Sequence, residues 1–506
     1  MGFFDKKSDH PLADLKSVQQ MMQDLPKNDA LKALQEISDW LESANNYADF
    51  RADHRWEIVR LLDESARPHV NKLVREYYAA SVPSAFQEGR LWTALNIFYT
   101  HTLQAYHGLL NAHLNNDKGA TAFKQHLPLI AIRGIQALMR KLKCTASHYE
   151  KVDPALWQQL AAFYAHAESQ QYTDTAIKPY ADSLDETTVR RRLLVTIMWF
   201  APIFSRLSPA RMHIADKLTE FWGAQFTLTT QMTATSVFYF DLAQPTMPNR
   251  VTAESLARTS TRFIGAGDVE RQIEILYKSL EKEVVPEELL LGAPYSAEDV
   301  IEVVRNLANH WINPPPVRRN TRHQVKVKLG VVRGFSGIVT HVAADNVSSE
   351  TSWEAEDISS TGFSCVLPAK GAEGIKIGSL IGIQPERMPH YGAGVVRRIN
   401  RDELGNLHVG IEMFSNQLDY APLRAQRDDA NSALQALLLK SPNDREDQVR
   451  LLMGMDAFSM TRSLHTQHEG NDYLLIPVTL LEKGVDYELA SYRRVTAEAA
   501  ETEDAN

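Results

Sequence analysis

Asn313–Arg333, NPPPVRRNTRHQVKVKLGVVR, separates two parts of the chain that have different residue patterns. The sequence before it has the pattern of helices, and the sequence after it has the pattern of strands. Three consecutive prolines lack backbone donors and favour polyproline geometry, so they predict a short, stiff linker over residues 313–317. From residue 325 onward, apolar and polar residues alternate with period two, which predicts a strand.

Upstream of the linker, apolar residues recur at three- to four-residue spacing. One such stripe begins after Asp29, a residue type that caps helices, and another extends from Leu91 to Leu109. Ser296 and Asp299 resemble a capping box that opens a last helix, which carries an apolar stripe from Val300 to Trp311. No repeat of fixed period is present. We therefore expect residues 1–312 to form a large all-α domain, built as one or two subdomains.

Downstream of the linker, glycine is concentrated. Residues 311–420 contain 12 of the 24 glycines, and short strands joined by glycine-containing turns predict a small antiparallel barrel over residues 318–420. Residues 421–496 predict a mixed α/β extension. In that extension, Ala433–Leu439 and the segment after it are expected to be helices, and two later strands flank Gly484 as a β-hairpin. Whether the hairpin joins the barrel stays open, and the acidic tail 497–506 is expected to be disordered.

Composition excludes several classes of protein. The formal net charge is -9, from 54 basic and 63 acidic residues, so general DNA or RNA binding is not expected. Cys144 and Cys365 form no C-x-x-C, so neither a disulfide framework nor a thiolate metal site is predicted. The longest apolar run, Leu193–Phe204, is too short and too interrupted to span a membrane. With no signal-peptide pattern near Met1, we expect a cytoplasmic protein.

A cationic cluster stands against this acidic background. Between residues 317 and 333 there are six basic residues and no acidic ones: Arg318, Arg319, Arg322, Lys326, Lys328 and Arg333. Lysines on a strand can simply protect a sheet edge from aggregation. Arginine presents a planar fork of donors that matches phosphate oxygens or a guanine edge, so the arginines predict an anion site.

Asp357-Ile358-Ser359-Ser360-Thr361-Gly362 follows 35 positions after Arg322. A carboxylate can accept hydrogen bonds from the N1 and N2 groups of guanine, a serine adds a small donor and acceptor, and a glycine permits a sharp turn or a close approach. An ordinary Asp-Ser-Gly β-turn is the alternative. The order of the two motifs and their glycine-rich β context favour a nucleotide site.

Residues 314–420, about a fifth of the chain, resemble a PilZ domain. The resemblance rests on the motif R-x-x-x-R, here Arg318 to Arg322, followed by D-x-S-x-x-G, here Asp357, Ser359 and Gly362. It implies a six-stranded barrel that binds cyclic di-GMP. The two motif arginines would hold phosphates and guanine edges, the second motif would contact a guanine, and Arg319 would add a further contact. The spacing between the motifs is longer than usual, so residues 334–352 are expected to hold an elongated hairpin or an inserted loop.

Other short patterns in the sequence do not predict a further site. Gly265-Ala266-Gly267 has Glu270 where a dinucleotide fingerprint needs glycine, and it lies in a region expected to be helical. His465 and His468 with Glu469 offer no evident third ligand, so no metal is expected. The chain carries none of the phosphate-binding loop, nucleophile-elbow, GGDEF, EAL or HD-GYP signatures, so no enzyme activity, catalytic residue or cofactor is expected.

The sequence thus predicts a bacterial cyclic di-GMP effector. The barrel would sense the nucleotide and reorient a helical domain that contacts an unidentified protein partner, with an output in motility, pili or biofilm formation. Two alternatives stay open. One is a PilZ-like interaction module that does not bind nucleotide, and the other is an enzyme in the helical region.

Overall fold

The computed structural model describes residues 10–78, 84–203, 206–252, 254–255, 257–291, 295–312, 323–344, 351–359, 361–368, 374–386, 388–425, 433–440 and 447–496. The chain divides into two compact units, residues 1–316 and 317–506. In the described part of the chain, no helix is both long enough and apolar enough to cross a membrane.

The first unit is mainly helical, as predicted. Its helices are α1 (Leu15–Gln23), α2 (Ala30–Asn46), α3 (Ala52–Tyr77), α4 (Ala85–Leu114), α5 (Leu127–Ser147), α6 (Pro154–Ser169), α7 (Val189–Ile203), α8 (Pro209–Phe221), α9 (Val269–Leu280) and α10 (Ala297–Trp311). Short 3-10 turns lie at Pro11–Ala13, Ala120–His126 and Glu287–Leu289.

The predicted helix signals are confirmed in detail. The Asp29 side chain accepts a hydrogen bond from the Lys32 backbone N–H at 3.0 Å and so caps α2. Ser296 and Asp299 form both halves of a capping box at the start of α10. The stripes predicted on α4 and α10 are buried: Leu91, Leu95, Phe98, Thr102, Tyr106, Leu109, Val300, Val303, Val304, Leu307 and Trp311.

The first unit is not helical throughout, which corrects the all-α prediction. Four short strands, β1 (Thr227–Thr229), β2 (Ser236–Asp241), β3 (Asn249–Arg250) and β4 (Thr261–Gly265), form an antiparallel sheet in the order β1-β4-β2-β3. We predicted strands from a high density of glycine, and this sheet escaped prediction because most of its turns contain other polar residues. The aromatic and β-branched run Val237–Phe240 was the available signal.

The second unit begins with a closed six-stranded antiparallel barrel, as predicted. Its strands are β5 (His323–Arg333), β6 (Thr351–Ser359), β7 (Gly362–Leu367), β8 (Leu380–Pro385), β9 (Gly392–Arg401) and β10 (Leu407–Ser415). We call it the first barrel. A helix, α11 (Gly334–Ala343), follows β5 directly, so the described part of residues 334–352 is mainly this helix, where we had expected an elongated hairpin or an inserted loop.

A second closed barrel follows immediately, formed by β11 (Gln417–Arg424), β12 (Leu434–Lys440), β13 (Gln448–Met453), β14 (Leu464–His468), β15 (Asn471–Lys483) and β16 (Glu488–Thr496). The prediction of a helix at Ala433–Leu439 is wrong, because these residues build β12. The segment after it contains β13 in its described part, where we had expected another helix. The predicted hairpin is confirmed as β15 and β16, and it is part of this second barrel.

The leucine run of β12 explains why a helix was predicted there. Leu437 and Leu439 lie in a cluster that joins the two barrels, with Phe335 and Ile338 of α11. Ala436 and Leu438 alternate with them and lie in the core of the second barrel. A strand that is buried on both faces has a continuous apolar sequence, and periodicity cannot distinguish such a sequence from a buried helix.

Candidate functional site

The candidate site lies where β5, β6 and β7 of the first barrel meet. Strands β6 and β7 form a hairpin in which Ser359 pairs with Gly362. The Ser359 hydroxyl donates to the Gly362 carbonyl at 3.3 Å and accepts from the Thr361 backbone N–H at 3.4 Å. The second predicted motif is therefore a tight turn at the edge of the barrel, held by its own serine.

Gly362 is required by a close backbone approach. A Cβ atom at this position would lie 2.0 Å from the Ile411 carbonyl oxygen of β10. The Thr361 carbonyl also accepts a hydrogen bond from the Met413 backbone N–H at 2.9 Å. The glycine thus allows the hairpin to rest against β10, a role in barrel closure that does not require contact with a ligand.

The arginine motif lies outside the described residues: Arg318, Arg319 and Arg322 all precede His323, where β5 begins. The register of β5 on β6 is described, with His323 opposite Ile358 and Gln324 opposite Asp357. In the sequence, Arg322 immediately precedes His323, and this end of β5 pairs with the Asp357 end of β6. Lys326, from the same cationic cluster, is exposed on β5.

A row of polar and small residues crosses the barrel from Asp357. In register, Asp357 lies opposite Ser364, Ser364 opposite Gly410, and Gly410 opposite Arg398. A Cβ atom at Gly410 would lie 3.6 Å from Arg398 Nε, so the arginine side chain lies across the glycine. Sequence reasoning missed Ser364 and Arg398, because only the strand register aligns them with Asp357.

The neighbouring row is acidic. His408 Nδ1 lies 3.1 Å from Glu356 Oε2, and His408 Nε2 lies 3.4 Å from Asp402 Oδ2. Below the row, burial raises the pKa of the Cys365 thiol to about 12, so this cysteine stays protonated and unreactive. Neither the histidine, which lies between two carboxylates, nor the protonated thiol favours an anion at this face.

On the far side of the barrel, strands β9 and β10 pair with each other. Arg397 does not face the candidate site. Its guanidinium lies 2.7 Å from Glu412 and 2.5 Å from Glu482 of the second barrel. Arg397 thus links the two barrels and is occupied by two carboxylates.

The glycine run at residues 265–267 lies between a strand and a helix. The helical surroundings expected for Gly265-Ala266-Gly267 are wrong, because β4 ends at Gly265 and α9 begins at Val269. Its sheet is antiparallel, however, and a Cβ atom at Gly267 would lie 1.8 Å from the Gln225 carbonyl oxygen. The glycine therefore serves a close backbone contact, and a dinucleotide fingerprint remains unsupported.

Near the predicted histidines, a third donor comes from another strand. Ligand atoms of Asp419, His468 and Glu469 lie within 4.8 Å of one another. The Lys440 ammonium lies 2.6 Å from Asp419 Oδ2 and 3.2 Å from Glu469 Oε1. A lysine that already neutralises both carboxylates disfavours a metal ion at this position.

Comparison with known families adds evidence from the other unit. Residues 16–233 match the family model described as cyclic-di-GMP receptor FimW, N-terminal domain. The match covers 218 of the 506 residues and extends from α1 through β1. A search of curated proteins gave no match. The description is that of a nucleotide receptor, which is a binding role, and the matched residues do not overlap the first barrel.

Proposed function

We propose that this protein is a bacterial cyclic di-GMP effector whose first barrel is a PilZ domain. Two separate parts of the chain support the proposal. The helical unit is similar to the N-terminal domain of a cyclic di-GMP receptor, and the β6–β7 hairpin of the barrel carries the Asp-x-Ser-x-x-Gly residues of the PilZ-like motif. This agreement between non-overlapping segments is the observation that carries the proposal.

In the proposed site, Arg318 and Arg322 bind the phosphates and guanine edges of cyclic di-GMP, and Arg319 adds a contact. Guanidinium groups suit this role because they pair with phosphate oxygens in bidentate fashion. Asp357 accepts hydrogen bonds from a guanine edge, while Ser359 holds the turn. The register supports this division, since the strand that continues from Arg322 lies directly against the strand that bears Asp357.

The helical unit is proposed to bind a protein partner, with an output in motility, pili or biofilm formation. The three prolines, Pro314–Pro316, connect it to the barrel. A proline linker transmits movement better than a glycine linker, so arginines drawn onto the ligand would reorient the helical unit. Small-angle scattering with and without saturating cyclic di-GMP tests this step, and an unchanged profile would refute it.

Isothermal titration calorimetry with cyclic di-GMP tests the binding proposal. We expect the wild-type chain to bind and Arg322→Ala to weaken binding at least 100-fold, because a charge-assisted bidentate contact is lost. Asp357→Ala should weaken it at least tenfold. Arg493→Ala removes an exposed arginine from the second barrel and should bind like the wild type.

Absence of heat from a folded wild-type chain would refute cyclic di-GMP binding. That result would favour a PilZ-like interaction module that has lost its ligand. Equal affinities for Arg322→Ala and Arg493→Ala would instead show that binding occurs outside the predicted site. Thermal unfolding of each variant establishes that the chain is folded in every titration.

A further inference from the structure

We propose that the helical unit contains a second ligand site, a cleft that binds a small nucleoside phosphate. The cleft lies among α3, α5, α7 and α8, together with the loop at residues 179–187, and has a volume of about 630 Å³. This is within the range of small-molecule sites in proteins, about 300–1,000 Å³. We call it the helical cleft. It lies entirely within residues 1–316, so the proposal does not depend on the first barrel.

Many of the charges that line the helical cleft are paired. Lys143 lies 2.5 Å from Asp216, Arg192 lies 2.6 Å from Glu220, and Arg67 lies 2.6 Å from Asp182. These ion pairs hold the walls together. Each of these three carboxylates is therefore already paired with a cation.

Three other cations line the same cleft without such a partner: Arg140, Arg191 and Lys217. Within the described residues, none of them forms an ion pair with a carboxylate. Burial lowers the pKa of Arg191 and of Lys217, as expected for cations that are short of compensating negative charge. Burial would lower the pKa of Arg140 too, but attraction to Tyr99 and to other acidic groups outweighs burial and raises this pKa. An anionic ligand would supply the charge that Arg191 and Lys217 lack, and three cations in one cleft suit a phosphate group.

Unpartnered polar atoms occur on the same walls. Gln136 Oε1, Arg191 Nε and His213 Nδ1 are buried, and none has a hydrogen-bond partner in the described part of the chain. His213 is only 8 % exposed. A buried polar group without a partner costs about 1–3 kcal/mol. A polar ligand in the cleft would provide both acceptors and donors to these atoms.

The mouth of the cleft is apolar. Leu184, Phe221 and Leu290 all line it and are 78 %, 47 % and 59 % exposed. Leu290 also has a φ of +50°, which side chains other than glycine rarely adopt. Large exposed apolar side chains next to half-buried cations suit a ligand with a planar ring at one end and a negative charge at the other.

Exposed carboxylates orient such a ligand. Asp185, Glu186 and Glu288 also line the cleft and are exposed. They repel a phosphate from the mouth and can accept hydrogen bonds from the amino and ring N–H groups of a base. The phosphate is therefore directed to Arg140, Arg191 and Lys217, while the base packs on Leu184, Phe221 and Leu290.

Calorimetry on the full chain with AMP, GMP, CMP and UMP as probes tests the proposal. We expect at least one mononucleotide to bind with one-to-one stoichiometry. Pyrophosphate should bind at least threefold more weakly than that nucleotide, because it lacks the base, and the free nucleoside should bind at least tenfold more weakly. If no probe binds at millimolar concentration, or if pyrophosphate binds as tightly as every nucleotide, the proposal is wrong.

Variants then locate the site. Lys217→Met and Arg191→Ala should each weaken nucleotide binding at least tenfold. Leu184→Ser alters an exposed side chain without disturbing the core, and it should weaken nucleotide binding threefold or more while leaving pyrophosphate unchanged. Lys278→Met, at an exposed position of α9, is the matched control and should bind like the wild type.

The barrel variant separates this site from the proposed cyclic di-GMP site. Arg322→Ala should leave mononucleotide binding unchanged. If Arg322→Ala abolishes it, or if Lys217→Met and Arg191→Ala both bind like Lys278→Met, the mononucleotide does not occupy the helical cleft. A chain that fails to bind cyclic di-GMP but binds a mononucleotide through Lys217 would refute the barrel proposal alone.

Discussion

The two barrels of the second unit have the same strand order and different surfaces. In each, the first strand pairs with the second and fourth, the third with the sixth, and the fifth lies between the fourth and sixth. The first barrel is preceded by arginines and carries Asp-x-Ser-x-x-Gly between its second and third strands. The second barrel has Ser415-Asn416 and the segment 440–448, KSPNDREDQ, at the equivalent places. The shared fold therefore does not by itself supply the proposed site, whose motif residues occur only before and within the first barrel.

The second strands show the physical basis of this difference. On β6 of the first barrel, Ser352, Glu354 and Glu356 are exposed. On β12 of the second barrel, Leu437 and Leu439 pack against the first barrel. The face that could carry a ligand on the second barrel is therefore covered by apolar contacts. One barrel presents its second strand to solvent, and the other uses it as an interface.

The largest expected effect concerns this interface. Leu437 is 0 % exposed, so Leu437→Ala should lower the free energy of unfolding of the second unit by about 2–5 kcal/mol, through lost burial and a new cavity. Urea unfolding, with hydrogen exchange to assign the transition, measures it. Leu404→Ala, at a position 84 % exposed, is the control, and an equally small loss for both variants would argue against a covered β12.

The next effect concerns closure of the first barrel. Gly362→Ala should destabilise it by about 1–3 kcal/mol, because the added Cβ must displace the Ile411 carbonyl. Gly454→Ala is the counterpart in the second barrel, where the nearest atom would be 3.6 Å away, and it should be nearly neutral. Thermal unfolding compares them. A silent Gly362→Ala would mean that the motif glycine is not needed for closure.

A smaller effect is expected at the ion pair that joins the barrels. Arg397 and Glu482 are 42 % and 25 % exposed, so solvent screening limits their coupling to about 1 kcal/mol or less. A double-mutant cycle with Arg397→Met and Glu482→Gln measures this coupling, which should shrink in high salt. A coupling that is zero at low salt would show that this ion pair does not help to hold the barrels together.

The smallest effect is a pH dependence confined to the second barrel. Burial alone would raise the pKa of the Asp419 carboxyl, but hydrogen bonds from Lys440 and His468 outweigh it and hold the pKa below its ordinary value. The stabilisation is therefore complete above the ordinary pKa of 3.8 and is lost as pH falls through the lowered value.

Asp419→Asn should remove about 0.5–1 kcal/mol of stability at neutral pH and less below pH 4. Stability curves between about pH 2 and pH 7 measure the difference. Asp456→Asn is the control, because this carboxylate is 83 % exposed and solvent screens its ion pair with Lys483. A constant difference between wild type and Asp419→Asn across this range would contradict the assignment.

The sequence predicted which motif residues belong to the candidate site, but it did not predict which other residues lie beside them. Asp357, Ser359 and Gly362 are visible as a motif, and the structure shows that their turn belongs to the β6–β7 hairpin. Arg398 and Ser364 were not predictable, because a register across three strands aligns them with Asp357. The helical cleft was equally hidden, since its cations come from α5, α7 and α8.

Local sequence patterns predicted the helix caps at Asp29 and Ser296 and the strand that contains the alternating residues from Val325 onward. These features depend on residues only a few positions apart, so the sequence pattern is sufficient to predict them. The strand conformation of the β12 leucines could be seen only in the tertiary structure, where both faces of the strand are buried. An apolar run is stable in either conformation once it is buried, and the partner that buries it lies elsewhere in the chain.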